Sequence, residues 1–165
     1  MKTSLHQASF AEMPIVLNLA KFYRYDLSEF MEWSINPDGM YHCHELETYW
    51  ENQNIPFIIR VNNELAGFAL ISKVSDKTEV SYAIGEFFVL RRFRKLGIGK
   101  KVALDIFNKF KGIWEVKQLI KNKPAIVFWE KVISSYNNKS YTINDLNDYQ
   151  HGNIKIIKFN NMEHQ

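Results

Sequence analysis

The stretch Arg94-Lys95-Leu96-Gly97-Ile98-Gly99 lies between a strand-like segment that ends at Leu90 and a helix-like segment that begins near Gly99. Two glycines let the backbone approach an anion closely, and the following helix directs unpaired N–H groups and its positive dipole end toward that anion. Arg94 and Lys95 add full positive charges. This order of residues predicts a loop that binds the phosphates of a nucleotide-like ligand.

Two common nucleotide-binding motifs do not fit this stretch. A P-loop needs a glycine five residues before its Gly-Lys pair, and before Gly99-Lys100 that position holds Arg94. The dinucleotide fingerprint needs a small residue three positions after Gly99, where this chain has Val102. A different class of phosphate loop is therefore expected.

The positive charge of the chain is concentrated at this loop. Residues 91–101 contain six basic residues and no acid, whereas the net charge of all 165 residues is +3, so the remainder carries −3. A ligand with several phosphates needs such a cluster, although a solvated basic turn or a nucleic-acid patch would look similar. We expect no nucleic-acid partner, because the rest of the chain has no extended basic stripe and no reading motif.

Length and composition predict one domain over residues 1–165, with 46% hydrophobic residues available for its core. No stretch approaches the ~20 apolar residues of a membrane span, and the N-terminus lacks the apolar block of a secretory signal. We therefore expect a cytoplasmic protein with no membrane partner. The single cysteine, Cys43, is interpreted as a packing residue, since it has no disulfide partner in the chain.

The order of strand and helix patterns predicts an α/β fold. A hairpin is expected over residues 57–73 around Asn62-Asn63, followed by a strand at 79–90 in which Gly85 indicates a bulge. Four-residue apolar spacing predicts a helix after Gly99 that Gly112 closes. The other predicted elements are helices at 12–25, at 41–51 and from Asn122, and strands at 114–120, 140–143 and 154–159, with a polar connection at 144–148.

Residues 82–136 resemble the core of the GCN5-related N-acetyltransferase (GNAT) superfamily, whose signature Arg/Gln-x-x-Gly-x-Gly/Ala follows a bulged strand. Arg94, Gly97 and Gly99 match that signature without a gap. The resemblance implies a mixed, mostly antiparallel sheet flanked by helices, with a bulged central strand and a splayed parallel pair at 81–90 and 114–120. It also implies acetyl-CoA as the cosubstrate.

A second segment, Asn122-x-x-Ala125-x-x-Phe128-Trp129-Glu130-Lys131, resembles the family's other cofactor-contacting region. Ala125 and Phe128 are expected to serve the helix core as well, and Asn122 either contacts the ligand or caps the helix. The contacts that the resemblance implies are Phe88, Val89, Leu90, Arg94, Lys95, Leu96, Gly97, Ile98, Gly99, Lys100, Asn122, Ala125, Phe128 and Trp129.

The implied reaction is direct transfer of acetyl from acetyl-CoA to a primary amine of a small molecule or peptide. Glu86 occupies the family's frequent glutamate position and is the candidate base. Set among Ile84, Phe87, Phe88 and Val89, it is expected to have its proton affinity raised by desolvation. The alternative is a buried glutamate paired with an Arg or Lys. A backbone N–H near Val89 would polarise the thioester carbonyl.

The proton donor to the leaving thiolate is open, because Trp129 stands where many relatives have tyrosine, and an indole N–H has no useful acidity. Tyr136 is the named candidate; Tyr141, a water or no donor at all are the alternatives. We expect Trp129 to pack against the pantetheine end. Its presence also supports a rival hypothesis, a module that binds CoA without turnover.

The acceptor end has a weaker signature. Aromatic residues at 22–33 would line an acceptor pocket or serve the core, and Asp26 and Glu29 would attract a cationic amine if they face the cleft. His42-Cys43-His44 is not expected to bind a metal, because positions i and i+2 do not face each other on a helix. A homodimer is compatible with the sequence.

Overall fold

A seven-stranded sheet and three helices make up the described part of the computed structural model, which comprises residues 1–75, 80–148 and 152–162. The strands are β1 (Thr3–Gln7), β2 (Ile55–Val61), β3 (Glu64–Ser75), β4 (Val80–Val89), β5 (Ile113–Leu119), β6 (Thr142–Asp148) and β7 (Gly152–Asn160). The helices are α1 (Met13–Leu27), α2 (Ile98–Lys109) and α3 (Lys123–Tyr136).

The strand order is β1-β2-β3-β4-β5-β7-β6, and each neighbouring pair is antiparallel except β4 and β5, which are parallel. This confirms the predicted mixed, mostly antiparallel sheet. The β2–β3 hairpin turns at Asn62 and Asn63, whose φ angles of 48° and 69° are left-handed. Two-residue hairpin turns need such angles, and asparagine tolerates them better than most residues do.

The predicted bulge at Gly85 is present. Ile84 lies opposite Ile71 while Glu86 lies opposite Leu70, so Gly85 is the extra residue of β4. An extra residue reverses the faces of the strand beyond it. The prediction that Glu86 is surrounded by both Ile84 and Phe88 is therefore wrong, because these two pack in different core clusters.

The sheet separates two hydrophobic clusters. On one face α2 and α3 cover Trp114, Val116 and those apolar residues of β2 to β4 that point to this face. On the other face α1 and the 3-10 helix His44–Trp50 cover Ile58, Phe68 and Phe88. The apolar spacing of α2 is confirmed, since its buried residues lie on one side of the helix: Ile98, Val102, Ala103, Ile106 and Phe107.

The end of α2 differs from the prediction, because Gly112 does not cap it. The helix ends at Lys109, and the side-chain amide of Asn161 donates to the carbonyls of Phe107 at 2.6 Å and Phe110 at 3.1 Å. Asn161 is fully buried, and its side-chain oxygen accepts from the Gly112 N–H at 2.8 Å. A residue from the far end of the chain thus satisfies the last carbonyls of the helix.

Three further differences concern local structure. The helix predicted at 41–51 is the 3-10 helix His44–Trp50, and β1 is absent from the predicted elements. The segment predicted as a polar connection at 144–148 belongs to β6, an edge strand with exposed side chains on both faces at 142–147. Its polar composition conceals a strand because neither face is buried. Glu79, the predicted start of β4, lies outside the described residues.

Candidate active site

Two parallel strands separate at the centre of the sheet. β4 and β5 pair over residues 81–84 and 113–116, after which β4 continues along β3 and β5 continues along β7. The Val89 carbonyl accepts a side-chain hydrogen bond from Arg94 at 2.7 Å, whereas the Leu90 N–H bonds Ala66 beside β3 at 2.8 Å. Backbone groups alternate between the two edges of a strand, so those of Val89 face the gap.

A cavity of about 690 Å³ opens where the strands part. This volume lies within the range of pockets that bind small ligands. Its wall combines the C-terminal end of α1, the end of β4, the loop before α2 and the first turns of α3. The lining residues are Tyr23, Asp26, Leu27, Glu29, Phe30, Phe87, Phe88, Val89, Arg91, Arg94, Lys95, Gly97, Gly99, Lys100, Asn122, Pro124, Ala125, Val127, Phe128, Trp129, Lys131 and Val132.

The loop before α2 has the backbone geometry of an anion site. Lys95 and Gly97 are both left-handed, with φ angles of 61° and 79°. The Lys101 N–H donates to the Gly97 carbonyl at 3.0 Å and thereby starts the helical hydrogen bonds. The amides of Ile98, Gly99 and Lys100 precede that bond, so they have no intrahelical acceptor. They lie at the positive end of a twelve-residue helix, at the cavity wall.

Acidic neighbours neutralise much of the basic cluster. Arg91 and Arg94 both pair with the Asp26 carboxylate on α1, Arg91 at 2.7 Å. Outside the cavity, Arg92 pairs with Glu64 at 2.7 Å and Lys101 pairs with Asp105 at 2.7 Å. Lys95 and Lys100 belong to the cavity wall instead. The positive charge available to a ligand therefore comes mainly from Lys95 and Lys100 and not from all six basic residues of 91–101. It lies at the cavity wall.

The first turn of α3 shows one of the two roles expected for Asn122, that of helix cap. Its side-chain oxygen accepts the Ala125 N–H at 3.2 Å, and the residue also lines the cavity. Asn122 is thus a helix cap placed at the ligand wall. Pro124 follows in the first helical turn, where its missing N–H costs nothing.

Three aromatic rings form the wall between β4 and α3. Trp129 is buried and packs edge-on against Phe87 at 5.0 Å and Phe128 at 4.9 Å between ring centroids. A Cβ atom at Gly99 would lie 3.3 Å from the Phe128 ring, tighter than an ordinary contact. The second glycine of the loop therefore lets α3 approach the start of α2 closely.

Glu86 lies on the α1 side of the sheet, next to two tyrosines. The Tyr23 hydroxyl is hydrogen-bonded to the Glu86 carboxylate, and Tyr49 is close enough to interact electrostatically with it. Burial and the Glu86 charge raise the pKa of Tyr23 well above its usual value of 10.0. Burial raises the pKa of Tyr49 as well. A side chain at Gly85 would overlap the Tyr49 hydroxyl, which explains why glycine forms the bulge.

The described residues form neither a metal site nor a membrane-spanning helix. Within residues 1–75, 80–148 and 152–162, no three histidine, cysteine or acidic side chains come together in a way that would hold a metal ion. In the same part of the chain, the helices are too short or too polar to cross a membrane. His42, Cys43 and His44 instead line a smaller cavity of about 450 Å³ on another side of α1.

The model of the acetyltransferase (GNAT) family matches residues 20–133. The chain belongs to the GNAT acetyltransferase family. The match extends from within α1 into α3, so it contains every lining residue of the larger cavity. A search of curated protein sequences gives no match.

Solved structures share the GNAT fold at low sequence identity. Arabidopsis thaliana Naa50 in complex with a bisubstrate analogue is 13% identical, with a TM-score of 0.65 over 96% of this chain and 99% of that one. The Salmonella typhimurium acetyltransferase that modifies the N-terminal serine of ribosomal protein L7/L12 is 12% identical, with a TM-score of 0.69 over 97% and 95%. Arabidopsis thaliana NAA60 with acetyl-CoA is 13% identical, with a TM-score of 0.65 over 96% and 98%.

Acetyl-CoA is the cosubstrate of a GNAT enzyme, and the cavity suits it in three respects. The helix N-terminus, Lys95 and Lys100 match its phosphates. The splayed strands present backbone groups to the peptide-like pantetheine arm. The aromatic wall at Phe87 and Trp129 suits the apolar part of that arm.

Most cofactor contacts implied by the resemblance lie on the cavity wall, but three do not. Leu90 bonds Ala66 through its N–H and Phe93 through its carbonyl, both at 2.8 Å, so its backbone is engaged inside the protein. The Ile98 side chain is buried in the core, and Leu96 is 49% exposed. The backbone amides of Leu96 and Ile98 are still part of the loop before α2, but the side chains of all three residues lie outside the described wall.

Neither predicted catalytic residue contributes to the described wall. Glu86 is half-buried, lies outside this wall and is bonded to Tyr23. Tyr136 lies near the other end of α3, where its ring packs between Phe107 and Phe159 and its hydroxyl accepts from Asn161 at 3.3 Å. That placement separates Tyr136 from the cavity.

Sequence reasoning missed several wall residues. The sequence places Phe87 only in the surroundings of Glu86, because the strand pattern does not reveal which face of the sheet each side chain occupies after the bulge. Lys131 ends the segment that resembles the family's second cofactor region and lines the cavity, although the contacts implied by the resemblance stop at Trp129. Asp26 and Glu29 do face the cleft. Phe22 and Tyr25 are exposed instead, at 60% and 65%.

Proposed function

We propose that this protein transfers the acetyl group of acetyl-CoA to a primary amine of a small molecule or peptide by direct attack of that amine. The observation that carries the proposal is the continuity of the cavity. Its wall runs from the phosphate loop, past the splayed strands, to the carboxylates at the end of α1. Donor and acceptor therefore meet in one space, as direct transfer requires.

The donor end is assigned to residues with matching chemistry. Amides of residues 95–100, together with Lys95 and Lys100, would hold the phosphates, and Val89 would align the pantetheine arm through its main chain. The Phe88 main chain faces β3 instead, so the contact expected from it is not part of the proposal. Acetyl-CoA would supply an acetyl group already activated as a thioester. The Val89 N–H faces the gap and would polarise the thioester carbonyl.

Direct attack is favoured by the composition of the wall. Among the lining residues that the structure describes, none is cysteine, serine, threonine or histidine. These are the usual residues that carry an acyl group in a covalent intermediate. Cys43, the single cysteine of the chain, is buried, and its thiol has a pKa raised by burial. The amine itself is therefore the proposed nucleophile.

The acceptor end suits a cationic amine with an apolar neighbour. Glu29 supplies negative charge at the wall, whereas the Asp26 carboxylate is already paired with Arg91 and Arg94. Leu27 and Phe30 supply apolar surface. A protonated amine would be attracted before it loses its proton. A peptide N-terminus is one amine of this kind. One structural neighbour is described as acting on a protein N-terminus, which adds support for including peptides among the acceptors.

The test measures free-thiol release from acetyl-CoA against a panel of diamines, amino-acid amides and short peptides. Thiol release that depends on an amine, with intersecting initial-rate lines, supports the proposal. Parallel lines would indicate a covalent acyl-enzyme and contradict direct attack. Binding of acetyl-CoA by calorimetry without thiol release across the panel would favour the rival function, a CoA-binding module.

A further inference from the structure

The candidate base contacts a side chain that belongs to the cavity wall. Glu86 is half-buried and does not line the described wall, whereas Tyr23 lines it and is hydrogen-bonded to Glu86. A proton carrier between a bound amine and this carboxylate would therefore stand at Tyr23.

Aromatic contacts position Tyr23 where it meets both Glu86 and the cavity wall. Its ring lies edge-on to Phe68 at 5.8 Å and tilted against Phe88 at 5.7 Å between centroids. Phe88 is itself part of the wall at the strand gap. The hydroxyl is thus fixed near the end of β4 that we assign to the pantetheine arm. Rotation of the ring away from this site would disrupt two aromatic contacts.

The protonation state of Tyr23 suits a relay. The groups that face it are Glu86 and Tyr49, whose charges raise its pKa, and Arg24, whose charge lowers it; burial has the largest effect and raises it. The Tyr23 pKa therefore lies well above 10.0, and the hydroxyl keeps its proton throughout the neutral range. A neutral hydroxyl can donate to Glu86 while its oxygen accepts from an ammonium group.

Tyr49 occupies a different position beside the same carboxylate. Its hydroxyl bonds the Ser72 side chain and covers Gly85, and Tyr49 is not part of the described cavity wall. Two tyrosines thus flank Glu86, but the one from α1 faces the space in which the amine would bind. The asymmetry assigns the proton path to Tyr23.

We propose that Tyr23 is a catalytic residue, whose hydroxyl oxygen takes a proton from the acceptor amine while its own proton moves to the Glu86 carboxylate. This inference rests on the proposed function. One N–H bond of the ammonium breaks and one O–H bond forms on Tyr23; the original O–H bond breaks and one forms on Glu86. Tyr23 stays neutral, no redox partner is needed, and Glu86 returns its proton to solvent by the reverse path.

The test uses the full-length protein with Tyr23→Phe, which removes the hydroxyl and keeps the ring. At pH 7 we expect kcat/KM for the amine to fall about 100-fold, the lower end of what general acid–base catalysis contributes. The deficit should shrink as the pH rises toward the pKa of the amine, because a free amine needs no base. Tyr25→Phe is the matched control, since Tyr25 lies two residues away and is 65% exposed. It should change neither kcat/KM for the amine nor the dependence of kcat/KM on pH.

A double variant separates the relay from independent roles. Glu86→Gln should reproduce the same pH-dependent deficit, and adding Tyr23→Phe should lower kcat/KM by no more than about threefold further, because residues that act as one unit are not additive. The Tyr23→Phe variant should match wild type in acetyl-CoA affinity and in thermal midpoint. Such values would show that the variant folds and that its acetyl-CoA site is intact.

The contrary outcomes are distinct. A Tyr23→Phe deficit that is the same at every pH would mean a structural role and overturn the relay. So would a near-normal Tyr23→Phe beside a strongly impaired Glu86→Gln, since Glu86 would then act without Tyr23. If wild type releases no thiol with any amine, acetyl transfer itself fails, and the relay fails with it; that result is visible before any variant is compared.

Discussion

The Arg94 guanidinium donates from Nε to the Val89 carbonyl at 2.7 Å and pairs through Nη2 with the Asp26 carboxylate. Val89 ends β4 and Asp26 lies in the last turn of α1, so one side chain connects the strand gap, the phosphate loop and the acceptor side of the cavity. The signature arginine therefore serves the shape of the site as well as its charge. Arginine suits this task because its fork of donors bonds several acceptors at once.

Replacing Arg94 with alanine should weaken acetyl-CoA binding about 10-fold to 100-fold, the range for losing hydrogen bonds to a charged group. Part of the loss comes from the Val89 carbonyl, which would no longer be held at the end of β4. Titration calorimetry with acetyl-CoA measures the change. Arg92→Ala is the control, because Arg92 pairs with Glu64 outside the cavity and should bind normally. Equal affinities for the two variants would contradict the role of Arg94.

Gly97→Ala should weaken acetyl-CoA binding through the backbone alone. A Cβ atom at Gly97 meets nothing within 4 Å, but its φ of +79° costs a non-glycine residue about 1–2 kcal/mol. Gly39 offers a matched control, since it has a φ of +75° and equally open space but lies outside the cavity wall. Both variants should lose similar stability in urea unfolding. Only Gly97→Ala should lose affinity, and an equal affinity loss for Gly39→Ala would refute the assignment.

Trp129→Tyr tests whether Trp129 acts as a packing residue. The smaller ring should leave the aromatic wall incomplete and raise the dissociation constant of acetyl-CoA several-fold, while turnover of the saturated enzyme changes by less than about threefold. Trp114→Tyr makes the same substitution in the core beneath α2, outside the described wall, and should lower stability without a specific loss of affinity. A large loss of turnover at intact affinity would show that Trp129 has a chemical role.

Acid unfolding should reveal the contribution of Glu12. The Glu12 carboxylate accepts from the Ser9 N–H, the Ser9 hydroxyl and His6, each at 3.0 Å, and these bonds lower its pKa from 4.5 to about 2, with the Ser9 backbone bond as the largest cause. A folded-state pKa below the unfolded value means that the stabilisation is present above pH 4.5 and is lost as the pH falls toward 2.

The free energy of unfolding of wild type should therefore exceed that of Glu12→Gln at pH 6. The difference should shrink as the pH falls from 4.5 toward 2. Denaturant unfolding at a series of pH values measures it. Glu51→Gln, at an exposed position after the 3-10 helix, serves as the control substitution. A Glu12→Gln difference that is constant between pH 6 and pH 2 would mean that the carboxylate charge is not what stabilises this turn.

The sequence was informative wherever a local property decides the structure. Glycine spacing and basic residues predicted the phosphate loop, because φ preferences and helix N-termini act over a few residues. Apolar spacing predicted α2, and Asn62-Asn63 predicted the hairpin turn. Gly85 predicted the bulge for the same reason, since an interior glycine is costly in a strand unless something requires it.

Other predictions failed where a distant residue decides. Asn161, rather than Gly112, completes the end of α2, because the antiparallel β7 returns the chain to that point. Asp26 neutralises Arg91 and Arg94, so the excess charge of the loop is smaller than the composition suggests. Polar β6 was missed because an edge strand exposed on both faces has no apolar alternation.

The donor loop, the main helices and the family resemblance can be read from the sequence, because they depend on residues that are close together in the chain. The surroundings of Glu86 depend instead on how distant elements pack. The bulge turns its side chain toward α1, and the packing of α1 on Phe68 and Phe88 brings Tyr23 into contact with both Glu86 and the cavity wall. Which face a strand presents, and which helix covers that face, follows from the register of the whole sheet and not from the spacing of neighbouring residues.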